Sequence, residues 1–142
     1  GYIVAAPAWA NQFSTDYDFV GKDHPLVLAV RRDLLRRFQV DPDKVFLFGF
    51  GDGATFAFDM GCGHPDLFAG VVGFGGTPRP ELFDTGGYWR NAQKLPFFMV
   101  TGEMGGGSAE LLRKVYEKWM PKGFPALMTM YKGRGVEWYG LE

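Results

Sequence analysis

The sequence predicts an α/β protein built on a mostly parallel sheet with helices on both faces, and three observations predict it. Short apolar runs alternate along the chain with longer segments of helical periodicity. Glycine-rich corners follow several of those runs, where a strand must turn quickly into a helix. A hydrophobic fraction of 46%, with 17% aromatic residues, fills one core, and 142 residues is the length of a single domain, residues 1–142.

Residues 2–6, within YIVAAP, read as the first strand. A helix follows over 25–38, because Val27, Val30, Leu34 and Phe38 recur at spacings of three and four and predict a buried stripe, widened by Leu26 and Leu35. Asp23 is its expected N-cap, with Pro25 in the first turn. Arg31, Arg32, Arg36 and Arg37 occupy the remaining surface and read as a solvated face. Asp41, Pro42 and Asp43 turn the chain into a strand at 44–48. A helix at 53–62 and strands at 69–74 and 97–101 come next. The helix at 108–119 carries Leu111, Leu112, Val115, Tyr116 and Trp119 at helical spacing, with Ser108 as its expected cap. Gly123 closes it after Pro121, and a strand at 127–131 completes the series.

Composition excludes several function classes. A formal net charge of -1 gives no global field to attract nucleic acid or an anionic membrane. The single Cys62 excludes an intrachain disulfide and a cysteine metal cluster, and it reads as a small buried residue. His24 and His64 lack metal-site spacing, so no metal is expected. No apolar run approaches the ~20 residues of a membrane span, and no signal-peptide pattern opens the sequence, which leaves the compartment undecided. Gly73, Gly75 and Gly76 do not form a dinucleotide fingerprint, and GEMGGGSAE lacks the lysine of a phosphate loop, so no cofactor is expected.

The most informative stretch is VFLFGFGDG, a strand running into a tight corner. Gly49, Phe50, Gly51, Asp52 and Gly53 have the spacing of a nucleophile elbow, G-x-S-x-G, in which a strained turn lifts a hydroxyl towards substrate. Gly51 stands at the apex and has no side chain.

The run DPDKVFLFGFGDGATFAFDMGCGHPDLFAGVVGFGG resembles the nucleophile region of α/β-hydrolase esterases, a superfamily that includes feruloyl esterases, polyhydroxybutyrate depolymerases and prolyl oligopeptidases. LPFFMVTGEMGG and YKGRGVEWY are similar to the segments holding that family's acid and histidine. The resemblance implies a three-layer α/β-hydrolase-like sandwich lacking the family's N-terminal strands. It also implies a degenerate triad. Gly51 stands where the serine belongs, Gly105 where the aspartate belongs, and Val136 where the histidine belongs. Neither serine of the chain, Ser14 or Ser108, lies in the elbow.

The expectation is therefore a noncatalytic binding or structural domain. The alternatives are an ester or peptide hydrolase with altered catalytic groups, and a protein-interaction or assembly module. Trp9, Phe13, Phe50, Asp52, Glu103, Met104 and Trp138 are the candidate ligand contacts, with Phe50 and Met104 the more packed of them. Glu103 and Glu137 are expected to make structural hydrogen bonds at turns, and His64 to serve at a helix end. In the family another strand separates the counterpart of YIVAAP from the counterpart of VFLFG. An N-terminal segment, a rearranged sheet or another chain would then complete the sheet, with oligomerisation as one outcome.

Overall fold

The computed structural model describes residues 1–8, 17, 23–79 and 88–139. In chain order the main elements are α1 (His24–Arg37), β1 (Phe46–Phe50), α2 (Asp52–Gly63), β2 (Gly70–Phe74), β3 (Phe97–Gly102), α3 (Gly107–Trp119) and β4 (Ala126–Tyr131). The four strands form one parallel sheet in the order β1-β2-β3-β4. Each crossover between β1 and β2, and between β3 and β4, carries a helix, as parallel neighbours require.

The register explains which side chains form the core. Leu47 pairs with Val71, and Val71 with Phe97, placing one apolar row across a single face. Met99 pairs with Met128 in the next row of that face. α2 lies on it: a Cβ at Gly73 would fall 2.2 Å from the Phe58 ring, so glycine lets this helix approach the sheet closely. Eight of the 12 residues of α2 are buried, the pattern of a central helix rather than a surface one. α3 covers the same face with Ala109, Leu112, Val115 and Trp119. Trp119 meets the Phe97 ring edge-on at 4.6 Å and stacks on Phe124 at 4.6 Å.

α1 packs beside α2 through its first turns, where Val27 and Leu28 join the core. Arg31 Nε donates to the Leu67 carbonyl at 3.1 Å and ties the helix to the turn at Pro65–Leu67. The stripe expected along this helix is only half-buried. None of its residues is fully buried, and Phe38 is exposed as the C-cap rather than being part of the stripe. A helix that leans on one neighbour loses burial where that neighbour ends. Asp23 is the N-cap by position but makes no side-chain capping bond. Gly106, not Ser108, caps α3, and its φ of 63° suits glycine.

Residues 2–6 are not a strand. Tyr2, Ile3 and Val4 are exposed, and no strand pairs with the outer edge of β1 among the described residues. A short apolar run becomes a strand only when a ladder partner is available. α2 and α3 both pack on the face that carries Leu47, Val71, Phe97 and Met99, with α1 beside α2. No described helix is long and apolar enough to cross a membrane.

Candidate functional site

The corner after β1 has the geometry its sequence predicts. Gly51 adopts φ 56°, ψ -124°, a conformation in which a side chain is strained, and it is the N-cap of α2. Its amide donates to the Phe74 carbonyl at 2.8 Å, and its carbonyl accepts from Ala54 N at 3.0 Å and Thr55 N at 3.2 Å. The chain thus passes from strand to helix in one residue. A Cβ at Gly51 would meet no other atom within 4 Å, so the apex opens onto empty space.

Gly105 and Val136 lie beyond the same ends of the sheet, after β3 and β4. Val136 reaches the elbow through Gly75 and Gly76. A Cβ at Gly75 would lie 2.6 Å from Val136 Cγ1, and one at Gly76 would lie 2.4 Å from the Gly51 carbonyl oxygen. Gly105 sits over Thr101 and Gly102, and Met104 N donates to the Arg134 carbonyl at 2.8 Å, joining the loop after β3 to the loop that leads to Val136.

An open cleft of about 360 Å³ lies beside Gly51. Around the glycines it is lined by Asp52, Thr55, Thr77, Arg79, Ser108 and Leu111. Of these, sequence reasoning had placed only Asp52. Thr55 was within reach of a periodicity argument, because it lies one helical turn beyond Gly51 on the same face. Thr77, Arg79, Ser108 and Leu111 arrive from other elements, and their convergence requires the fold.

The remaining candidates divide. Trp138 stacks on Phe74 at 5.6 Å and touches Phe48 and Phe50, forming an aromatic patch on the sheet face opposite α2 and α3. Met104 is 71% exposed, which corrects its expected packing role: the loop lifts it away from the sheet. Phe50 is also partly exposed, its ring 6.1 Å from Trp138. Glu103 accepts from Gly133 N at 3.0 Å, and Glu137 accepts from Arg134 Nε at 2.7 Å, the turn-bracing roles expected of them. Trp9 and Phe13 lie outside the described residues.

Comparison with known proteins fits this geometry. No family profile matches the chain. A thermostable esterase superimposes with a TM-score of 0.66 at 19% identity over 78% of this chain and 28% of its own. Esterase PE8 gives 0.64 at 20% identity over 80% and 52%, and the Bacillus cereus carboxylesterase gives 0.62 at 15% identity over 82% and 53%. The fold is that of the α/β-hydrolases. A 61-residue stretch is also 39% identical to a protein of Nocardia uniformis subsp. tsuyamanensis named "Putative esterase NocK", covering 41% of this chain and 18% of that protein. The chain thus spans between about a fifth and just over half the length of these relatives.

The chain's two histidines lie away from the elbow. Both lie at the other end of α2. His24 Nε2 is 3.2 Å from Asp59 Oδ2, Tyr17 donates to the same oxygen at 2.5 Å, and His24 Nδ1 is 3.3 Å from His64 Nε2. His64 is the C-cap of a 12-residue helix whose N-cap is Gly51, which separates them by about 18 Å of helix. The network holds α1 against α2, and His64 does serve at a helix end. Among the described residues no group of three or more His, Cys, Asp or Glu side chains is placed to hold a metal ion.

Cys62 beside this network is fully buried, and burial, with the nearby Asp59 charge, pushes its thiol up to about 12. It is an inert packing group. Burial, and then the neighbouring His24, lower the His64 pKa, while Asp66 and Asp59 oppose them. A base whose pKa falls on folding stabilises the fold above its unfolded value of about 6.5, and that stability is lost as pH drops below it. Urea midpoints are expected to fall below pH ~6.5 and to fall less steeply in His64→Gln; parallel profiles for the two proteins would contradict this.

Proposed function

We propose that this chain is a noncatalytic domain of α/β-hydrolase fold that keeps the elbow cleft as a binding or structural feature. The observation that carries the proposal is the distance between the elbow and every imidazole in the sequence. Acyl transfer by this fold needs a hydroxyl at the apex and a base within hydrogen-bond reach. Here the apex is Gly51, and both histidines are engaged about 18 Å away. Gly105 and Val136, the vestigial acid and histidine positions, offer neither a carboxylate nor a nitrogen lone pair. What the cleft does offer is the hydroxyls of Thr55, Thr77 and Ser108, the charges of Asp52 and Arg79, and the apolar wall of Leu111. Such a lining suits a small polar ligand with one apolar edge.

The test is covalent labelling with a fluorophosphonate alongside turnover of p-nitrophenyl acetate. The expected result is no adduct and no rate above the protein-free background. An acyl or phosphonyl adduct on any residue of the cleft would overturn the proposal.

One observation favours a second reading, a hydrolase with altered groups: Ser108 opens onto the same cleft as Gly51. That reading expects turnover that disappears in Ser108→Ala. Unchanged turnover in that variant would remove it.

A further inference from the structure

α1 carries an excess of positive charge that the described residues do not neutralise. It holds four of the chain's 15 Lys and Arg residues and one of its 16 Asp and Glu residues, although the chain as a whole has a net charge of -1. Asp33, the one acid of the helix, is engaged by Arg37 at 2.9 Å. Among the described residues neither Arg32 nor Arg36 makes an ion pair, and Arg31 engages only its Nε, on the Leu67 carbonyl. Arg32 and Arg36 stand one helical turn apart, where like charges repel and weaken a helix.

The periodicity of α1 sorts these residues around a groove. At about 100° per residue, Leu28 and Leu35 fall within about 20° of one another. Arg31 lies about 40–60° to one side of that pair, and Arg32 and Arg36 lie about 40–100° to the other, while Arg37 points to the opposite face. Leu67 meets the same face from the turn at Pro65–Leu67, which the 3.1 Å bond from Arg31 holds in place. These six residues line an open groove of about 330 Å³. Its three leucines are half-buried, whereas Arg32 and Arg36 are exposed. The groove lies beyond the C-terminal end of α2, away from the cleft beside Gly51.

We propose that this groove docks an acidic peptide segment of a partner protein, with an apolar side chain on the leucines and carboxylates on Arg31, Arg32 and Arg36. Charge complementarity chooses the acid: a guanidinium fork accepts a carboxylate through two parallel N–H···O bonds, and Arg31 keeps its terminal N–H groups for one. The leucines choose a peptide over other polyanions. A nucleic-acid strand is gripped by hydroxyl and amide donors beside the cations and by aromatic rings that stack on bases, and the groove lining contains none of these side chains. An anionic membrane takes up apolar side chains that protrude from a helix, whereas these leucines form the half-buried wall of a concavity. Asp66, next to Leu67, does not line the groove and leaves its positive field in place.

The experiment incubates the labelled chain with an array of synthetic peptides made of Glu, Leu and Gly in varied number and spacing, then titrates the best-retained peptide in solution. Retention is expected only for peptides that contain both Glu and Leu, and replacing Glu by Lys should abolish it. Arg32→Glu combined with Arg36→Glu alters two exposed side chains and is expected to keep native circular dichroism while weakening binding roughly tenfold or more. Arg113→Glu combined with Lys114→Glu makes the same change of net charge on the exposed face of α3 and should leave binding within about twofold of the parent. No retained peptide at roughly 1 mM chain would sink the proposal, as would equal weakening by the two double variants, which would reduce the effect to overall charge. Binding of an oligothymidylate or of phosphatidylserine vesicles more tightly than any peptide, lost in the Arg32 and Arg36 variant, would reassign the groove to nucleic acid or membrane and equally overturn it.

Discussion

Trp119→Ala is expected to lower the stability of the fold by about 3–5 kcal/mol, the usual range for deleting a fully buried large aromatic side chain. Trp119 is 0% exposed and joins three parts of the structure: it ends α3, meets Phe97 of β3 edge-on and stacks on Phe124 ahead of β4. Its removal would leave a cavity bounded by rings fixed on different elements, and such walls cannot collapse together without shifting a strand. A domain of this size has on the order of 5–15 kcal/mol in total, so this single change removes a large share. Urea unfolding followed by circular dichroism should show a lower midpoint with an unchanged slope. Trp119→Phe, which keeps a ring against Phe97, should retain most of the lost stability. A Trp119→Ala midpoint within error of the parent would mean that α3 is not held to the sheet as described.

The order of elements was legible in the sequence because each depends mainly on local pattern. β1, β2, β3 and β4 are short apolar runs, and α3 shows its buried face directly through Leu112, Val115 and Trp119. The elbow was legible for another reason: closely spaced glycines after a strand have few structural uses, and a positive φ at Gly51 is one of them. Features that depend on distant partners were harder to read. Residues 2–6 are a strand-like apolar run, but an apolar run does not supply a neighbouring strand. The stripe on α1 reads as buried to Phe38, yet only its early turns meet α2 and the turn at Leu67.

The network of Tyr17, His24, Asp59 and His64 joins residues up to 42 positions apart. Its one sequence signal was Asp59 itself, an acid in the middle of the apolar helix ATFAFDMGC, since a buried carboxylate needs partners. The cleft was half legible. Gly51 and Asp52 could be placed beside it from the motif, whereas Arg79 and Ser108 could not, because no local rule brings the ends of β2 and the start of α3 together.

Gly49→Ala and Gly51→Ser should separate the glycines that build the elbow from the one at its apex. A Cβ at Gly49 would lie 2.1 Å from the Gly53 carbonyl oxygen and 2.5 Å from Ala54 N. Those atoms are helix backbone and cannot rotate aside, so the first turn of α2 would have to move off β1. The expected cost is about 3 kcal/mol or more, read as a urea midpoint. At Gly51 the space is open, and the cost of serine is only the strain of φ 56°, about 1–3 kcal/mol.

Serine alone at this apex should give only the residual rate of a site without an imidazole, because both histidines lie at the other end of α2. Adding Val136→His to Gly51→Ser supplies one beside Gly75, and Val136 is 44% exposed, so the larger ring has room. The pair would still lack a carboxylate at Gly105. In a serine protease, losing the acid costs far less than losing serine or histidine, by a factor of roughly 10². The double variant should therefore hydrolyse p-nitrophenyl acetate roughly 10²-fold faster than either single one. Equal rates for all three would show that position 136 does not face the apex, and the reading of Gly51 as a vestigial nucleophile position would lose its partner.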